Sequence, residues 1–326
     1  MTIKVRPYAF TDAGAWDAFC DKCLQATLLH TQRFLSYHGD KFEDKSLIIE
    51  QDGKWLGLFP AALSPVNAKI VVSHPGVTYG GIVHQGNLRG VLMIDTLRAI
   101  IQHYASLQLN TLIYKVVPFF YHQVPLQDDS YALFRVGASR TRCDISSTID
   151  LQHRLPVSER RRRGLKNASK AGVSVVAGNS NLEALWSVLH DNLQRKHGVA
   201  PVHSLAEIEL LAQKFPDHIQ CICGVVNGKV EAGILVFVTP TAHHAQYIAA
   251  SKIGYDAAAL DAVFEFSILN AKEKHARWFS FGISTEDSGL ILNDGLYRFK
   301  TEFGAGSAIH EFFIINLVKI LKNHVN

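Results

Sequence analysis

The feature that most constrains this chain is that it repeats itself. Residues 46–63, SLIIEQDGKWLGLFPAAL, read as an apolar strand, a turn at Asp52-Gly53 and a second strand. Residues 219–237, IQCICGVVNGKVEAGILVF, read as the same hairpin with Asn227-Gly228 in the turn. Such dipeptides supply the positive φ that a tight hairpin needs. Later segments keep step roughly 168 positions on: SHPGVTYGGIV (73–83) with HHAQYIAASKI (243–253), LMIDTLRAII with LDAVFEFSIL, and LNTLIYKVVP with ARWFSFGIST. That spacing is too long for a solenoid, so the repeated unit is domain-sized. Each half begins with a helical pattern, AGAWDAFCDKCLQA or NLEALWSVLHDNLQRK, and then reads hairpin, strand, helix, strand.

A chain of 326 residues is also longer than one hydrophobic core usually holds. The reading is therefore an α+β protein of two tandem domains, residues 1–150 and 151–326. With 48% hydrophobic and 19% charged residues the chain is compact rather than disordered. No run approaches the roughly 18 apolar residues of a membrane span, and MTIKVRPYAFTD lacks the apolar core of a signal peptide, so a cytoplasmic location is expected. A net charge of +4 suits an anionic small molecule as readily as a nucleic acid.

The five cysteines suggest no disulfide framework without a secretory signal. Cys20 and Cys23 could join Cys221 and Cys223 in a four-thiolate zinc site only across the two predicted domains, and buried free thiols with no metal are the expected state. Between the halves, LPVSERRRRGLKNASKAGVSV places Ser158 as a helix cap, Arg160 to Arg163 and Lys166 on the helix, and Gly172 as its stop. The run has two readings, a solvated basic face or a phosphate site at the domain seam, since four successive arginines wrap a helix and cannot all face water.

Four stretches in order, RRRRGLKNASKAGVSV, HHAQYIAAS, FSFGIST and GLYRFKTEFGA, resemble the GNAT acyltransferase superfamily, and within it the FemAB/FemX-like branch with two GNAT-like domains side by side. The resemblance covers nearly the whole chain and implies acyl transfer to an amine, with the chemistry in the second domain and the first helping to hold the acceptor. It implies acetyl-CoA as co-substrate, no metal, and a nucleotide-linked amino sugar of surface-glycan biosynthesis as acceptor, with no DNA partner. No long charged coiled-coil arm interrupts the second half, which weighs against tRNA as a partner. The alternatives are a FemX-like aminoacyl-tRNA-dependent peptidyltransferase of cell-wall precursors, or a tandem protein that binds a glycan or nucleotide without turnover.

The same resemblance directs attention to particular residues. The donor pyrophosphate is expected on the strand-to-helix connection ASKIGYDAAAL, because a helix start with a glycine turn attracts anions, and the donor as a whole on Gln246 and Ala249 of the preceding strand with Ser251, Lys252, Gly254, Tyr255, Ala257 and Ala258. His203 and Glu286 are candidate bases, and Tyr247 could protonate the departing thiolate. Strand alternation would put Gln246 and Tyr247 on opposite faces, so only one reaches the cleft. Lys300, between Phe299 and Phe303, either delivers an ammonium to a carbonyl or phosphate oxygen or pairs with Glu302 at a helix end. Tyr79, Arg160, Arg163, Lys166, Ser284, Asp287 and Arg298 are expected to contact the acceptor, the arginines through its diphosphate. The glycine-rich TYGGIVHQG of the first half marks the corresponding place there.

Overall fold

The computed structural model describes residues 3–318, apart from the side chains of residues 196 and 197. The chain divides into two compact units, one built from residues up to Asp144 with Asp287–Leu290 and the segment from Ile309, the other from Ile145–Glu286 and Ile291–Ala308. Mixed helices and sheets make the protein α+β.

In the first unit the order is β1 (Lys4–Pro7), α1 (Ala13–Cys20), α2 (Gln32–Leu35), β2 (Leu47–Gln51), β3 (Lys54–Phe59), β4 (Ala62–Ser64), β5 (Asn67–Val72), β6 (Val83–His84), α3 (Val91–Ser106), β7 (Thr111–Lys115) and α4 (Asp128–Arg135). β8 (Ser139–Asp150) then carries the chain into the second unit. There follow α5 (Glu159–Lys170), β9 (Ser174–Ala177), α6 (Leu182–His197), α7 (Leu205–Lys214), β10 (Ile219–Val226), β11 (Lys229–Val238), β12 (Ala242–Ala250), α8 (Lys252–Asp256), α9 (Ala259–Glu273) and β13 (Trp278–Ile283). The small hairpin β14 (Thr285–Glu286) and β15 (Ile291–Leu292), then α10 (Asp294–Thr301), precede the last strand, β16 (Gly306–Asn316).

Pairing exposes the repeat. In the second unit β9, β10, β11 and β12 are successive antiparallel neighbours, β12 runs parallel to β13, and β13 is antiparallel to β8. The first unit follows the same scheme, with β1, β2 and β3 antiparallel, β4 antiparallel to β5, β5 parallel to β7 and β7 antiparallel to β16. One element differs. The unbroken β11 corresponds to two short strands, β3 and β4, separated at Pro60 and Ala61. Proline has no N–H for the ladder, and the amide of Ala61 donates instead to Ser46 Oγ at 3.0 Å. The strand before the helix is therefore β5, so SHPGVTYGGIV does not align with HHAQYIAASKI as a strand. Residues 73–82 are mostly irregular, and only Val83 and His84 pair, with β3.

Each unit has its own core. Ile49, Phe59, Leu97, Ile100, Leu112 and Tyr114 are buried together in the first, and Ile234, Val263, Phe264, Phe279, Phe281 and Phe303 in the second. Burying such side chains contributes about 1.5–3 kcal/mol each. The apolar positions of α9 recur at helical spacing, with Leu260, Val263, Phe264, Ile268 and Ala271 all inward, which seats its first turn beside the end of β12.

Candidate functional site

Two strand irregularities open the second unit's sheet. β12 and β13 pair only through Ala242–Trp278, His243–Phe279 and His244–Ser280, and beyond that point no ladder joins them. On β12 the register against β11 jumps from Ala245 to Tyr247, which makes Gln246 the extra residue of a bulge. On β13 the register against β8 shifts between Ser280 and Ile283, where Gly282 has a φ of 75°. Bulges bend strands and re-aim side chains, so simple alternation does not govern Gln246 and Tyr247. Where the strands part, Ser280 Oγ lies 3.1 Å from His244 Nδ1 and accepts from the Gly282 amide at 3.3 Å.

Lys300 closes the far end of β13. Its side chain is buried, and Nζ donates to the carbonyls of Gly282 (3.1 Å) and Ile283 (2.5 Å). Burial pulls its pKa down to about 7, because a buried ammonium loses its hydration. The lysine thus neither projects into a cleft nor pairs with Glu302; the strand end receives it. Ser284 is also buried, its hydroxyl without a hydrogen-bond partner, while its amide donates to Ile145.

On the β12 side, the Tyr247 hydroxyl and His203 Nδ1 lie 2.5 Å apart. The Trp186 indole donates to the His203 carbonyl at 3.1 Å and meets the Tyr247 ring edge-on at 5.0 Å. Burial, the larger cause, and nearby Glu207 push the Tyr247 pKa up to about 12, so the phenol keeps its proton at neutral pH. The structure therefore joins two residues that the sequence offered separately, from the loop before α7 and from β12.

A cavity of about 350 Å³ lies at the start of α9, lined by Arg160, Arg161, Arg163, Gly164 and Asn167 of α5, by Gly254, Tyr255, Ala258, Leu260 and Asp261, and by Phe299. Ser158 caps α5 as its sequence predicts, accepting from the Arg161 amide. Gly164 allows α5 to approach α9, since a Cβ there would collide with the Asp261 carboxylate. The inward arginine is Arg161. It donates to Asp261 (2.9 Å) and Glu302 (3.1 Å) and lies over the Phe299 ring at 4.7 Å. Carboxylates of its own unit satisfy it, which is neither the solvated face nor the phosphate site of the two sequence readings. Arg162 turns away to Glu159, and Arg160 reaches Glu302 only at 3.9 Å. Arg163 and Lys166 are exposed, with no ion-pair partner among the described residues.

Other sequence candidates fall elsewhere. Ser251 caps α8 and its hydroxyl is bonded to Glu231, while Gly254 is required because its Cβ would strike the Glu231 carbonyl. Lys252 pairs with Asp256 on the surface at 3.0 Å and does not line the cavity. Ala249 is buried within β12, and Ala257 packs on the core. Ala258, at a φ of 53°, breaks the chain between α8 and α9. Arg298 pairs with Glu302, Glu286 accepts from Asn293 at 2.7 Å, and exposed Asp287 belongs to the first unit.

In the first unit the corresponding strand opening is filled. Ser73 donates its amide to Ile113 and accepts from Lys115 N at 2.8 Å, and the Gly80 amide donates to the Lys115 carbonyl. Lys115 itself is buried with Nζ on the Val77 carbonyl, and its pKa falls to about 7 through burial and then Arg142. Gly80 and Gly81 let this loop press against Ser73 and Tyr114, so these glycines serve packing. Tyr79, expected at a substrate, is buried against Tyr121 and bonded to Thr27 at 3.0 Å.

The cysteines remain free. Cys20 and Cys23 lie in the first unit's core, and Cys221 and Cys223 sit on β10 with their sulfurs 3.5 Å apart. Among the described residues no group of three or more His, Cys, Asp or Glu side chains is placed to hold a metal ion. No described helix is long and apolar enough to cross a membrane.

No protein-family model and no curated protein matches the chain. Solved structures do. The chain is similar to FemX, with a TM-score of 0.64 and 10% identity over 94% of this chain and 96% of that one. It is similar to L-PGS from Bacillus licheniformis, with a TM-score of 0.61 and 14% identity over 95% of each chain. A tandem GNAT protein from the clavulanic acid biosynthesis pathway aligns with a TM-score of 0.54 and 11% identity, over 97% of this chain and 98% of that one. The fold is the tandem GNAT, FemX-like fold.

Proposed function

We propose that the protein is an N-acyltransferase that transfers acetyl from acetyl-CoA to the amino group of a nucleotide-linked amino sugar in surface-glycan biosynthesis. The observation that carries this reading is the basic cavity at the start of α9, next in the chain to a strand that a bulge and a lost parallel ladder have opened. Arg160 and Arg163 suit the donor's phosphates there, beside a helix start whose backbone dipoles favour anions. The arginines thus serve the donor in this reading, where the sequence alone suggested the acceptor. A thioester supplies an activated carbonyl, and the chain's own residues handle protons around it. In this reading Tyr247, protonated and 2.5 Å from His203, gives its proton to the departing thiolate, and His203 takes the proton that the attacking amine loses and passes it to the tyrosine. Lys300 positions the end of β13 from within.

Incubation with acetyl-CoA and a panel of nucleotide-linked amino sugars, with a thiol reagent reporting free CoA, tests this directly. Arg163→Gln should raise the KM for acetyl-CoA about tenfold with little change in kcat, the loss of one charge-assisted contact. An unchanged KM removes that arginine from the donor site. A second reading, a FemX-like aminoacyl-tRNA-dependent transferase, draws support from the higher TM-score with FemX than with the clavulanic acid pathway protein. Absence of thiol release with every sugar, together with tRNA binding that weakens steeply with salt, would favour it.

A further inference from the structure

A second cavity of about 350 Å³ lies wholly within the first unit, where the acyl-transfer reading assigns no residue. Its walls differ in kind from those of the arginine-lined cavity. Tyr8, Phe10, Phe42, His38 and His74 supply rings, Asp17 and Asp44 supply carboxylates, and Arg33 is the one lysine or arginine among its lining residues. Three of these rings are in mutual contact, with Phe42 edge-on to both His38 (5.1 Å) and His74 (5.5 Å).

The carboxylates are fixed in place by backbone and hydroxyl donors. Asp17 accepts from the amides of Gln32 (2.6 Å) and Arg33 (3.1 Å), and Asp44 from the amide and hydroxyl of Ser46 at 2.9 and 3.0 Å. Burial raises the pKa of each, and burial, Asp44 and Asp17 in that order raise that of Tyr8. Each carboxylate oxygen has lone pairs beyond those used. Two further lining side chains are incompletely satisfied. Gln32 is 7% and His74 3% exposed, and Gln32 Nε2 and His74 Nδ1 have no hydrogen-bond partner. Such groups are uncommon in folded proteins and each calls for a reason.

Two acids with aromatic rings and one arginine make a pocket for a cation, because ring faces and carboxylates both attract positive charge. The unsatisfied amide and imidazole nitrogens add capacity for hydroxyl oxygens around that cation. A free amino acid would bring a carboxylate against Asp17 and Asp44, whereas an aminated sugar brings an ammonium and hydroxyls together. We infer that this cavity binds a protonated amino sugar, its ammonium between Asp17 and Asp44 and its ring against Tyr8, Phe10 and Phe42. The inference does not depend on acyl transfer, so failure of the thiol-release assay leaves it standing.

Calorimetric titration of the full chain with D-glucosamine, N-acetyl-D-glucosamine and D-glucose tests it. Glucosamine should bind at one site, about tenfold tighter than either uncharged sugar. Phe10 is 89% exposed, so Phe10→Ser should leave the melting temperature unchanged while weakening glucosamine about fivefold, and Asp44→Asn should weaken it at least as much. Arg163→Gln, in the other unit, should have no effect on it. Equal binding of glucose and glucosamine, full affinity in the Phe10→Ser protein, or loss of binding in the Arg163→Gln protein would each overturn the assignment.

Discussion

The two units use one strand scheme and treat the same opening in opposite ways. In the second unit β12 continues past its last pairing with β13 at His244–Ser280, bulges at Gln246, and hands the chain to α8 and α9 through a short connection. In the first unit β5 stops at Val72, and a long connection folds back so that Ser73, Val77 and Gly80 occupy the end of β7 with Lys115. Both strand ends therefore hold a buried ammonium on backbone carbonyls. In one unit it closes a filled loop; in the other it steadies the edge of an open one. The lesson is that duplication preserves the sheet order more readily than the connections, and site chemistry resides in the connections.

Four measurements would break or sharpen that contrast. The largest effect is expected at Arg161, whose loss leaves buried Asp261 without its ion-pair partner and Glu302 with only Arg298 and Arg160. Arg161→Gln should cost about 3–5 kcal/mol of stability, read by denaturant unfolding, and a cost under about 1 kcal/mol would remove the arginine from its role of joining α5 to α9. Next, Tyr247→Phe should lower turnover about 100-fold, while Tyr79→Phe in the filled unit should leave turnover unchanged and cost about 1 kcal/mol of stability. Equal loss of activity in the two proteins would erase the distinction between an open and a filled unit.

The buried lysines give a pH signature. Lys115 and Lys300 each have a folded-state pKa near 7 against 10.5 for the ordinary side chain. Between those values the unfolded chain binds more protons than the folded one, so stability should rise with pH from about 7 to about 10.5. Lys300→Met and Lys115→Met should each remove part of that rise in denaturant unfolding at pH 7 and pH 9.5. An unaltered slope in both would mean that neither lysine is as desolvated as its surroundings imply. The smallest effect concerns the break between β3 and β4: Ser46→Ala strands the Ala61 amide and should cost about 1 kcal/mol. No cost would mean that packing alone holds the break.

Much of the architecture was readable because it rests on local chemistry. The Asp52-Gly53 and Asn227-Gly228 turns, the Ser158 cap and the apolar spacing of α9 are all signals carried within a few residues. Pro60 was a readable signal too, though alternation through LGLFPAAL masks it. The site was harder to read. Gly282 hints at a bulge in β13, whereas nothing in HHAQYIAAS marks Gln246 as the extra residue of β12.

What the sequence by itself determined is the duplicated α+β unit, the basic helix α5 and the residue types available to a site, since periodicity, turn residues and caps act over short chain distances. Tertiary structure decided which of those residues meet. It buried Lys300 under the end of β13, gave Arg161 to Asp261 and Glu302, set His203 against Tyr247, and filled one of two equivalent openings with the loop of Ser73, Val77 and Gly80. A side chain's partner depends on elements tens of residues away, and burial then makes every polar group find one or bear the cost.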